Sequence, residues 1–138
     1  MKSSSRRKFI GDSVKAAAGL GLITLTSNSE ISMTASKNLF VHHVYFWLNS
    51  PDSADDLKKL VEGLRKVSKV KTIKMFHIGK PAGTNRDVID VSYSVSWLLL
   101  FDNKADQDSY QTDPIHLKFI DECKDLWKKV VVYDSIDA

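Results

Sequence analysis

Leu39-Phe40-Val41-His42-His43-Val44-Tyr45-Phe46-Trp47-Leu48 is the stretch on which the reading of this chain turns. Eight of its ten residues are apolar or aromatic, with β-branched and ring side chains throughout, a composition that favours a strand over a helix. Neither set of alternate positions is polar, so the strand reads as buried on both faces. Two histidines stand side by side inside it. Alternation sends them to opposite sides of any sheet.

Downstream, Asn49-Ser50-Pro51-Asp52-Ser53 reads as a turn whose Asp52 or Ser53 caps a helix. Leu57, Leu60, Val61, Leu64 and Val67 then recur at helical spacing, while Lys58, Lys59, Glu62, Arg65 and Lys66 take the opposite side. A second strand is expected over 71–79 and a surface loop over 80–87, where Pro81, Gly83 and Asn85 gather. Val91, Tyr93, Val95 and Trp97 alternate with Ser92, Ser94 and Ser96, which predicts a third strand across 88–101. Asp102-Asn103 opens a short helix through Tyr110. Asp113-Pro114 opens another, with Asp113 as cap and Pro114 in the first helical position. Ile115, Phe119, Ile120, Cys123, Leu126 and Trp127 form the inner stripe of that last helix, and 129–136 is the closing strand.

The predicted order is β-α-β-β-α-α-β, an α+β fold of the ferredoxin-like type. A four-stranded sheet with its helices on one side leaves the other side bare. An apolar patch of that size predicts self-association.

Upstream lies a segment of a different kind. Ser5-Arg6-Arg7-Lys8-Phe9-Ile10 has the pattern of a twin-arginine export signal, and an uncharged, mostly small and apolar run from Ala16 to Ser29 follows. Spanning a bilayer takes roughly 20 apolar residues, so the run is too short for a stable membrane anchor. Cleavage is expected after Ala35, although Met33 is an unusual residue three places before the cut. Residues 1–35 are thus expected to be a twin-arginine signal peptide and 36–138 the working domain, periplasmic or secreted. Such signals generally carry proteins that have already folded.

Charge supports this division. The chain has 20 basic and 17 acidic residues; five of the basic and two of the acidic ones fall in 1–35, leaving fifteen of each beyond it. The domain is neutral and offers no basic footprint for nucleic acid. Cys123 is the single cysteine, so no intrachain disulfide can form, and no cysteine near the leader offers a lipid anchor.

His43-Val44-Tyr45-Phe46-Trp47, Gly79 ending the second strand, Phe101-Asp102 closing the third, and Tyr110-x-x-x-Pro114-x-His116 occur in the order typical of the stress-responsive A/B-barrel (Dabb) family. The chain resembles that family over residues 40–136. The resemblance implies a dimeric α+β barrel in which two sheets pack back to back. One branch, the plant polyketide cyclases, is similar at a Tyr and a His that map to Tyr110 and His116. Of the adjacent pair, His43 is taken as the family's histidine.

His116 stands near the third position of its helix, where the helix dipole disfavours a positive charge and keeps an imidazole neutral, as a general base requires. Tyr110 lies across the turn and could donate to a developing oxyanion. With His43 they make a candidate acid–base cluster: His116, Tyr110 and His43 catalytic, with Tyr45, Trp47, His77 and Trp97 lining a pocket for a small hydrophobic or aromatic ligand. Each also has a structural reading, as a cap, a core residue or part of a dimer interface. The scattered histidines (42, 43, 77, 116) make no metal-ligand motif, and Gly79-Lys80-Pro81-Ala82-Gly83 lacks the spacing of a phosphate loop. No metal and no cofactor are expected. Three functions follow: an exported homodimer that binds a small ligand or serves in stress; a cofactor-independent cyclase, lyase or monooxygenase on an aromatic or polyketide-like substrate, with His116 as general base and Tyr110 as oxyanion stabiliser; or a structural stress protein whose barrel is filled by its own side chains.

Overall fold

The structure, a computed structural model, describes residues 38–138. The expected signal peptide over 1–35 and its expected cleavage bond lie outside the described residues. The elements follow the predicted order: β1 (Phe40–Leu48), α1 (Ala54–Val67), β2 (Met75–Gly79), β3 (Val95–Phe101), α2 (Lys104–Thr112), α3 (Pro114–Cys123), a 3₁₀ turn over Lys124–Leu126, and β4 (Trp127–Ile136). The strands form one antiparallel sheet in the order β2-β3-β1-β4, so β1 lies in the interior and is paired on both sides. This is the ferredoxin-like α+β fold.

The helix ends follow local chemistry. Ser53 caps α1 by accepting from the Asp56 amide, Asn103 caps α2 through the Asp106 amide, and Asp113 caps α3 through the Ile115 amide with Pro114 behind it. Leu60, Leu64 and Val67 of α1 and Phe119 and Cys123 of α3 meet Phe40, Val44, Phe46 and Leu48 of β1 and Val95, Trp97, Leu99 and Phe101 of β3 in one core. Ile115 and Ile120, expected on the inner stripe of α3, are exposed.

Two predicted strands are shorter than expected. β2 begins at Met75 rather than 71, and β3 begins at Val95 rather than 88. The alternation over 91–94 is real in the sequence, but the serines there find other partners. The Asp90 carboxylate accepts from the Ser92 amide, the Ser92 hydroxyl accepts from the Trp47 indole, and the Ser94 hydroxyl accepts from the Leu48 amide. Side-chain hydroxyls that bond locally or to neighbouring backbone compete with ladder formation. β1 also differs from expectation. Phe40, His42, Val44, Phe46 and Leu48 are buried under the helices, while Val41, His43, Tyr45 and Trp47 are only half-buried on the open side of the sheet.

Candidate functional site

The pleat of β1 decides which of the two adjacent histidines reaches the helices. His42 shares its face with Phe40, Val44 and Phe46 and is 5% exposed; His43 points the other way. Tyr110 closes α2 and His116 opens α3, so the Asp113-Pro114 turn folds their rings together, 4.4 Å between centroids. The His42 ring stands edge-on to Tyr110 at 5.8 Å. His42, Tyr110 and His116 line a cavity of about 300 Å³ walled by Val44, Phe46, Trp97, Phe119 and Val132. A mostly apolar hollow with a few convergent polar groups suits a small organic molecule.

A hydrogen bond orients each of these three side chains. The Trp97 indole N–H donates to the Tyr110 oxygen at 3.2 Å, so the phenol's own proton remains available. Burial pushes the Tyr110 phenol up to about 12, against a smaller opposing pull from the Trp97 hydrogen bond, and keeps it a donor. The His116 Nδ1 lies 3.1 Å from the Gln111 carbonyl oxygen, which can only accept; Nδ1 therefore carries the proton and Nε2 keeps its lone pair. Burial holds the His116 imidazole below its usual range, with His42 adding to the effect and the Gln111 carbonyl and Asp113 opposing it. Burial is the largest of these causes. The His42 Nδ1 lies 2.6 Å from an Asp134 carboxylate oxygen across the β1–β4 ladder, which again leaves Nε2 as the free nitrogen.

The seven residues singled out from the sequence thus fall on two sides of the sheet. Tyr110, His116 and Trp97 come together on the helix side. His43, Tyr45, Trp47 and His77 lie on the open side, so the expected grouping of His43 with Tyr110 and His116 does not form, and His42 takes that place. The physical reason is the phase of β1: a strand apolar on both faces does not show which face the helices will cover. On the open side the His43 ring stacks at 4.4 Å on Tyr45, whose hydroxyl lies 3.3 Å from the His43 Nδ1. Tyr93 and Tyr133 meet Tyr45 edge-on at 4.9 and 5.9 Å, and the Lys129 ammonium sits 4.5 Å over the Trp47 ring.

Sequence reasoning passes over His42 in favour of its neighbour His43, and misses Asp134. Asp134 was visible as the acid interrupting an apolar closing strand, but its pairing with His42 needs the register of β4 on β1. Among the described residues no three metal-ligating side chains gather.

A family model described as Stress Responsive A/B Barrel Domain (Dabb) matches residues 40–137. No curated protein matches the sequence. Solved structures share the fold at low identity. A Dabb-family protein of Mesorhizobium loti with a ferredoxin-like fold is 20% identical with a TM-score of 0.61, over 74% of this chain and 99% of that one. A dimeric ferredoxin-like protein of unknown function from Thermobifida fusca is 15% identical with a TM-score of 0.62, over 76% and 96%. A hydroxynitrile lyase from Passiflora edulis is 18% identical with a TM-score of 0.63, over 73% and 94%.

Proposed function

The chain belongs to the stress-responsive A/B-barrel (Dabb) family, and from that premise we propose that it is an exported homodimer taking a small hydrophobic or aromatic molecule into the cavity between sheet and helices. The observation that carries this reading is the cavity itself: a mostly apolar wall that includes Trp97 and Phe119, into which only a few polar groups are admitted. Export rests on the leader motif. Self-association rests on the bare aromatic side of the sheet, where Tyr133 is 64% exposed and Met75 49%, and is supported by the dimeric state of the T. fusca protein of the same fold. Native mass spectrometry of protein purified from its source is the test. A dimer carrying a small organic adduct is expected; an empty chain that also fails to bind any member of an aromatic and polyketide-like panel would reject the binding role.

A second reading, catalysis, is favoured by one observation: two imidazoles of fixed tautomer and one protonated phenol line the same cavity. A ligand with an acidic C–H or O–H beside a carbonyl would lose its proton to Nε2 of His116, while the Tyr110 hydroxyl donates to the oxyanion that forms. His42, oriented by Asp134, supplies a second acid–base group that can return a proton elsewhere on the molecule. A cyclase or lyase step needs no more than this, and the hydroxynitrile lyase of the same fold gives lyase chemistry a precedent on this scaffold. His116→Ala and Tyr110→Phe should each lower turnover of a substrate found by the panel by at least about 100-fold. Unchanged turnover in both would leave binding as the sole function.

A further inference from the structure

Resting on the homodimer reading above, we propose that the open side of the sheet is a proton-gated seam, on which a second copy docks while His43 and His77 are neutral and from which it departs when they are protonated. The ladder registers set His77, Leu98, His43 and Tyr133 in one row across all four strands. This row crosses the middle of the surface that a second sheet would cover.

The charges around that row matter most. On the same side, β1 contributes Val41, Tyr45 and Trp47, and β2 contributes Met75 and Gly79. β3 contributes Ser96, Leu98 and Leu100, and β4 contributes Lys129, Val131, Tyr133 and Ser135. Lys129 is the charged group among these strand residues, and it sits over Trp47. Asp90, from the segment before β3, lies in the cleft with Tyr45 and Trp47, where it accepts from the Ser92 amide and feels the Lys129 charge only through space. Asp134 belongs to the other side, with His42. Just before β2, Lys74 pairs with Asp102 at 2.7 Å. No strand carboxylate on the open side is therefore placed to receive a proton-bearing His43 or His77.

Burial, His77 and His42 already hold the His43 imidazole below its usual range in the single chain. Covering the face with a second copy removes more water and brings in a second set of the same groups, two imidazoles from each chain. Four neutral imidazoles can be buried against tyrosines at little cost, whereas imidazolium ions would be buried with no strand carboxylate beside them. Docking is thus linked to proton release. The dissociation constant should rise by up to tenfold for each unit that the pH falls, for each imidazole that must give up its proton.

Sedimentation equilibrium of the full chain at about pH 8 and about pH 5.5 tests this, across the range where imidazoles titrate. Wild-type protein should dimerise at least about 100-fold more weakly at the lower pH. His43→Gln/His77→Gln, which keeps His42 and His116, should associate with nearly the same constant at both. His77→Gln alone, at an exposed position, should retain part of the dependence and guards against a double variant that fails to fold. A wild-type dimer indifferent to pH overturns the inference and leaves the dimer standing. So does a double variant that keeps the full pH dependence. A wild-type monomer at about pH 8 overturns the dimer reading and the gating with it.

Discussion

The hydroxyl of Tyr110 serves the core and the cavity at once. It receives the buried Trp97 indole N–H and offers its own proton to the cavity that both residues line. Tyr110→Phe leaves that N–H without an acceptor in a core position that is 1% exposed, and should cost about 1–3 kcal/mol in a urea titration. His116 predicts a pH effect whose sign follows from its environment. Its imidazole is held below the ordinary value of 6.5 in the folded chain, so below about that pH the unfolded state binds more protons. Stability should therefore fall as pH drops from 7 toward 5, with no contribution from this group above that window. His43 acts in the same direction, so His116→Gln should flatten the urea midpoint against pH only in part. A midpoint whose pH dependence is identical with and without His116 would show that burial does not hold its proton off.

At the scale of elements, the packing of α1 on α3 sets the floor beside the cavity. Gly63 lies where the two helices cross, and a Cβ there would come within 2.9 Å of Phe119 and 3.0 Å of the Cys123 sulfur. Alanine improves helix propensity by about 1 kcal/mol over glycine, but overpacking a core contact costs about 1–3 kcal/mol. Phe119 is held edge-on to Phe46 and stacked with Trp127, so it has little room to retreat. Gly63→Ala should destabilise the fold by about 1 kcal/mol and shrink the cavity that Phe119 walls. Thermal unfolding and the affinity of any bound adduct would register the two effects separately. β1 is the other decisive element: paired on both edges, it presents one face to the helices and the other to the open side.

For the whole molecule, the net positive charge falls in residues 1–35 and the remainder is neutral, so the two can be altered separately. Replacing Arg6-Arg7 by Lys-Lys should abolish export in a host with the twin-arginine pathway, while leaving the charge of the domain untouched. Fractionation of cells expressing either version gives the answer, and export undiminished by the change would remove the twin-arginine reading. The bare side of the sheet and the helix side with its cavity give the molecule two different faces. In the function proposed above, one takes a small ligand and the other a second copy.

Element order, helix caps and the family resemblance could all be read from residues alone, because caps, Pro-led helix starts and apolar spacing act over a few residues. Ser53, Asp113-Pro114 and the Leu60-Leu64-Val67 stripe stand where local chemistry puts them. Tyr110 and His116 were also within reach of the sequence, being joined by one tight turn. The partner of that pair was not. Choosing between His42 and His43 depends on which side of β1 the helices cover, and a strand apolar on both faces carries no mark of that. Asp134 lies 92 residues from His42 and meets it only through the β1–β4 register. Short-range steric and hydrogen-bonding rules are written in neighbouring residues, whereas the phase and register of strands are settled by burial of the sheet as a whole.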